Sequence, residues 1–117
     1  METWGLKPGQ VGGPPADCKV WWGARAIYNG AREKYQVDLL WDRQSMTGDV
    51  EKDAKERTAL FDWINKKGLK GLRRQVKEEA VYPGDNILIT FEEGGYIINA
   101  NPNRSHGYLY ICAYKKP

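Results

Sequence analysis

The sequence predicts an α+β domain: an antiparallel sheet of about five strands in the order β-β-α-α-β-β-β, with a helical hairpin packed on one face. Three observations carry this. Runs of alternating large and polar residues stand at both ends of the chain, apolar residues at three- and four-residue spacing lie between them, and Asn29-Gly30, Pro83-Gly84 and Gly94-Gly95 punctuate the runs. A length of 117 residues suits one compact core.

Residues 1–18 hold three of the six prolines and four glycines without periodicity, and read as a flexible Pro/Gly-rich arm ahead of a single domain over 19–117. The "GQVGG" in this arm lacks the preceding strand of a phosphate loop, and Pro14 and Pro15 fall where a helix N-terminus would present its N–H groups. From Lys19 to Tyr28 the pattern alternates, with Val20, Trp22, Ala24, Ala26 and Tyr28 on one face and Trp21, Arg25 and Ile27 on the other. Asn29-Gly30 opens a turn, and Tyr35 to Asp42 returns as the second strand of a hairpin.

Asp49 is placed to cap a helix over about Val50 to Lys67, with Glu51 in its first turn, Lys66 and Lys67 in its last, and Gly68 as the stop. Leu60, Phe61 and Ile64 form its apolar stripe, and Trp63 lies at the edge. A second helix over Leu69 to Glu79 aligns Leu69, Leu72, Val76 and Ala80, although Gly71 weakens it by about 1 kcal/mol relative to alanine. The remainder reads as a meander: Ile87 to Glu93, Tyr96 to Asn101, a polar bulge "PNRSHG", and Tyr108 to Lys115.

Composition narrows the function. A hydrophobic share of 41% with 5 Trp and 7 Tyr argues for a ring-rich core, while a net charge of +3 is too mild to mark a dedicated phosphate-backbone binder. Cys18 and Cys112, the only two cysteines, have no zinc-ligand spacing, so no metal and no cofactor is expected. No apolar run is long enough to span a membrane and the first residues lack a signal-peptide pattern, so a cytoplasmic protein is expected.

The last strand sets the functional question. Leu109, Ile111 and Ala113 fall on one face, which belongs to the core, and Tyr108, Tyr110, Cys112 and Tyr114 on the other. With helices on one side of the sheet, that tyrosine face is either a solvent-exposed docking site or is buried by the arm, a dimer partner or a ligand. Beside it the bulge offers Asn103, Arg104 and His106 as recognition residues, or as plain turn formers. A two-fold dimer through the edge of the Tyr108–Lys115 strand or through the ring face is also permitted.

Catalytic chemistry finds little support. Ser105 beside His106, the sole histidine, is adjacency rather than nucleophile–base geometry, and Asp38 and Asp42 on one strand face stand about 13 Å apart, too far to share a metal. An alternative reading is nucleic-acid binding, with Lys66, Lys70, Arg73, Arg74 and Lys77 meeting phosphates and the sheet rings stacking on bases. Glu78, Glu79, Glu92 and Glu93 dilute that basic edge.

"WGARAIY", "DLLWDRQ", "LFDWINKKGL" and "HGYLYICA" resemble segments of uncharacterised small proteins encoded by phages and prophages. The resemblance implies an accessory protein that binds a host protein, blocks a defence complex or redirects transcription, working in the host cytoplasm. The reading reached from sequence is therefore a non-enzymatic binding protein that modulates or inhibits a host protein complex, using Tyr108, Tyr110 and Tyr114 with the Arg104–His106 bulge.

Overall fold

A computed structural model describes residues 8–18, 20–45, 49–102 and 107–116, with the backbone alone for 38–45. Five strands form one antiparallel sheet: β1 (Trp21–Asn29), β2 (Lys34–Ser45), β3 (Ile89–Glu93), β4 (Tyr96–Asn101) and β5 (Tyr108–Lys115), in the spatial order β2-β1-β5-β4-β3. The α+β class and the five-stranded antiparallel sheet are as the sequence predicts. The first and last strands are neighbours, so β5 lies at the centre, bonded to β1 on one side and β4 on the other. The edge of β5 is therefore closed to pairing with a second copy, which removes that route to a dimer; the edges of the sheet are β2 and β3.

The helical region departs from the expected hairpin. α1 (Val50–Trp63), a π-helical turn (Ile64–Gly68) and α2 (Leu69–Glu79) run on as one helix, and Gly68 keeps right-handed helical angles of φ −60° and ψ −46°. Glycine ends a helix only where the chain uses its freedom to reach positive φ, and here it does not. What Gly68 supplies is closeness: a Cβ there would stand 2.8 Å from the Trp63 ring and 3.0 Å from the Ile98 side chain. The start conforms to the sequence reading, since the Asp49 carboxylate accepts from the Lys52 N–H at 3.1 Å.

The π-helical turn has a geometric reason. Leu60, Ile64, Gly68, Leu72 and Val76, all buried, repeat at intervals of four. In an α-helix each such step drifts about 40° around the axis, because a turn takes 3.6 residues. The wider turn over Ile64–Gly68, in which the Leu69 N–H reaches back to the Ile64 carbonyl, takes back part of that drift and keeps the stripe on the sheet.

The core fills the space between helix and sheet: Ala24, Ala26, Leu60, Ile64, Leu72, Val76, Ile98, Leu109, Ile111 and Ala113, joined by Tyr35, Val37 and Trp63. Trp63 stacks on Phe91 and Tyr96, with ring centroids at 6.0 and 5.2 Å. β2 has 12 residues against nine in β1, and the excess is absorbed by two irregularities, between Gly23/Ala24 and Arg25/Ile27 of β1. Such bulges add twist to an edge strand and make it a poorer template for a further strand. Among the described residues no helix is long and apolar enough to cross a membrane.

Candidate functional site

The second face of the sheet carries the tyrosines, and strand register arranges it in rows. Trp21, Tyr114 and Ile97 share one row; Gly23, Cys112 and Asn99 the next; Arg25, Tyr110 and Asn101 the third; Ile27 and Tyr108 the last. The first two rows are sealed. Trp21, Ile97, Cys112 and Tyr114 form a second apolar cluster against which Cys18 packs. Residues 8–18, the second half of the Pro/Gly segment, lie as a series of turns with Pro14 fully buried, and the Asn101 amide donates to the Val11 carbonyl at 3.2 Å.

Asn99 and Tyr114 are matched under this cover, whereas the buried Trp21 indole N–H has no hydrogen-bond partner among the described residues. The Asn99 amide donates to the Tyr114 hydroxyl at 3.1 Å, and its oxygen accepts from the Thr90 hydroxyl at 3.0 Å, which ties β3, β4 and β5 together. Tyr114 is thus 6% exposed and held in the second cluster. Tyr108 and Tyr110 are half-buried.

Burial raises the Cys112 thiol well above its usual pKa, and raises Cys18 and Tyr114 as well; for Tyr114 the Asn99 bond opposes the shift. In each case the folded state holds the proton more tightly than the unfolded chain. The stability that these groups contribute is complete below their unfolded values of roughly 8.5 for thiols and 10 for tyrosine, and is lost as pH rises through the raised folded values. Urea unfolding midpoints should accordingly be level from about pH 6 to 8 and fall above about pH 9, with a shallower fall in Cys112→Ala. A curve still level at about pH 10.5 would mean that the second cluster is open to water.

The far end of the same face is open. Ile27 is 47% exposed, the Arg25 guanidinium sits 4.7 Å from the centre of the Tyr108 ring, and a hollow of about 320 Å³ lined by Ile27, Tyr28, Asn29, Gly30 and Gln36 adjoins them. A cation over a ring face holds the ring in place and leaves an apolar edge with a charged partner, which is the mixture that protein-recognition surfaces favour. Asn103, Arg104 and His106 lie outside the described residues; the next described residue, Gly107, accepts from the Tyr28 N–H at 2.8 Å at this same end.

The basic residues singled out from sequence stand elsewhere. Lys66, Lys70, Arg73, Arg74 and Lys77 are all exposed on the helix, across the sheet from Tyr108 and Tyr110. The phosphate-binding and base-stacking halves of the nucleic-acid reading are therefore not brought together in one place. Instead, Arg73 and Lys77 meet Arg32 and Lys34 of the β1–β2 hairpin around a cleft that the sequence reading missed. For the catalytic alternatives, the Asp38 and Asp42 side chains lie outside what is described, and so do Ser105 and His106. Among the described residues no group of three or more His, Cys, Asp or Glu side chains is placed to hold a metal.

The family model of the CbeA antitoxin, described as type IV, cytoskeleton bundling-enhancing factor A, matches residues 2–116. The chain belongs to the CbeA antitoxin family. No curated protein matches it. Membership in an antitoxin family supports the expectation of a small protein that acts by binding a partner, and the match takes in both faces of the sheet and the helix.

Proposed function

We propose that this protein is an antitoxin that acts by binding cytoskeletal filaments of the host cell and enhancing their bundling, with Ile27, Arg25, Tyr108 and Tyr110 as a filament contact. The family description supports the class of target. The observation that carries the site is the Tyr108 ring, held under Arg25 beside the exposed Ile27, at an end of the second face away from the cluster that Cys18 packs against. Carriage by a phage or prophage, which the segment resemblance implies, suits a small module directed at a host protein. Asn103, Arg104 and His106 extend this contact in the proposal, since they precede Gly107 in the chain.

Bundling requires that one particle touch two filaments, or that it neutralise the charge by which they repel each other. The test is co-sedimentation with assembled actin-class and tubulin-class filaments, scored for binding at high speed and for bundles at low speed. Ile27→Ser with Tyr108→Ser should weaken binding about 10- to 100-fold, as expected for two central apolar contacts, with the circular dichroism spectrum unchanged. Full binding by the folded double variant would move the contact off this face.

A further inference from the structure

We propose that the cleft between α2 and the β1–β2 hairpin is a second binding site, which takes an acidic segment of polypeptide. It has a volume of about 400 Å³ and is lined by Arg32, Lys34, Arg73 and Lys77 around Tyr35, Gln36, Val37 and Val76. Among the described lining residues four are cations and none is an acid. Arg32 and Lys34 come from the hairpin and Arg73 and Lys77 from the helix, so folding gathers four like charges around one cleft, an arrangement that a bound anion stabilises.

The geometry is suited to carboxylates. The Arg73 Nε donates to the Val37 carbonyl at 2.9 Å, which fixes the plane of the guanidinium at the cleft wall. A planar guanidinium so oriented recognises a carboxylate through paired N–H groups. Val37 and Val76, 4% and 2% exposed, close the bottom of the cleft, so the four cations at its rim supply the contacts. Along the helix the cations continue: Lys66, Lys70, Arg73 and Lys77 follow the i, i+4, i+7, i+11 spacing of one face, a track about 16 Å long. That length matches about five residues of extended chain.

Nucleic acid has the same sign of charge but wants something more. Base recognition on single strands uses rings as stacking platforms, and the ring in this cleft is not offered: Tyr35 is 3% exposed and packs edge-on against Tyr28, with centroids 5.5 Å apart. A filament subunit with an acidic surface segment is the occupant that charge and shape favour.

The inference rests on the filament reading in one respect. Tyr108 lies on the second face and the cleft on the helix side, so one copy of this chain presents two separate contacts, which is the valence that crosslinking needs. The experiment separates the two ideas. A fluorescein-labelled octaglutamate peptide is titrated with the full chain and followed by anisotropy, beside filament pelleting. The variant is Arg32→Glu with Lys77→Glu, both exposed and neither in the Arg73–Val37 bond.

Wild type should bind the peptide with an affinity that falls as salt rises, and the folded double variant should bind it at least tenfold more weakly. The same variant should still pellet with single filaments while losing low-speed bundles. Absence of peptide binding at low salt, equal binding by the variant, or displacement by a 20-nucleotide single strand at lower concentration than unlabelled octaglutamate would each overturn the site. Bundling kept in full by the variant would overturn its crosslinking role. Failure of wild type to pellet with either filament would sink the filament reading, and the peptide titration would still decide the cleft.

Discussion

Gly71→Ala should destabilise this protein by about 2 to 3 kcal/mol net, the reverse of what helix propensity alone gives. Alanine in place of glycine inside a helix is worth about 1 kcal/mol of stabilisation. Here a Cβ at position 71 would stand 2.0, 2.1 and 2.5 Å from three atoms of the Phe91 ring, where carbon atoms in contact keep about 3.5 Å or more. The ring has little room to yield, because it is stacked on Trp63 on the core side of β3. Either Phe91 leaves that stack or α2 lifts from the sheet, and overpacking of this kind costs more than the propensity gain returns.

The measurement is the urea midpoint of Gly71→Ala, Phe91→Leu and the double variant. The shorter side chain removes the clash, so the double variant should be more stable than the sum of the two single effects by at least about 1 kcal/mol. A stabilised Gly71→Ala single variant would show that α2 and β3 do not approach as closely as described.

That glycine illustrates what the sequence could and could not convey. Alternation placed Leu109, Ile111 and Ala113 of β5 on the core side, and all three are fully buried; the same rule divided β1 correctly, with Ala24 and Ala26 inward and Ile27 outward. These assignments depend only on side chains alternating along a strand. Weighed by local propensity Gly68 looks like a stop, which it is not, and Gly71 like a weak point of the helix, which leaves out its second role: Trp63 of the preceding turn and Ile98 of the sheet crowd position 68, and Phe91 of the sheet crowds position 71. A signal was present in the unbroken spacing of four from Leu60 to Val76, which continues through Gly68.

The site was legible in the same uneven way. Tyr108, Tyr110 and Tyr114 are indistinguishable by spacing, yet Tyr114 is sealed beneath a segment that precedes β1, while Tyr108 stays at an open corner with Arg25 and Ile27. The difference comes from contacts with residues far away in the chain, such as that between Asn101 and Val11, 90 positions apart. The basic helix residues were visible as charges, but their companions Arg32 and Lys34 were not, since only the fold brings the hairpin to α2.

Removing residues 1–17 should uncover Cys112 and Tyr114 and make the protein both less stable and prone to associate. The cluster of Trp21, Ile97, Cys112 and Tyr114 sits on the sheet face opposite the helix, so its cover must come from outside the two main layers. Cys18 packs against the cluster, Pro14 is fully buried and the Val11 carbonyl accepts from Asn101, which places the segment before β1 in that role. Exposing part of three large side chains and the Cys112 thiol at roughly 1 kcal/mol each, relieved in part by the freedom regained by the deleted chain, leaves a loss of about 3 kcal/mol. An apolar patch of that size on a sheet face is also a surface for self-association.

Thiol reactivity reads the cover directly. In the intact chain an aromatic disulfide reagent should titrate Cys18 at mildly alkaline pH and leave Cys112, which is 0% exposed, unreacted until the protein is denatured. In the truncated chain Cys112 should react without denaturant, at a rate that rises with pH as its thiol recovers an ordinary pKa. Continued silence of Cys112 in a folded truncated chain would mean that the second face is closed by the sheet's own side chains. The open corner at Ile27 and Tyr108 would then be a property of the strands themselves, and residues 8–18 would have no part in shaping the filament contact.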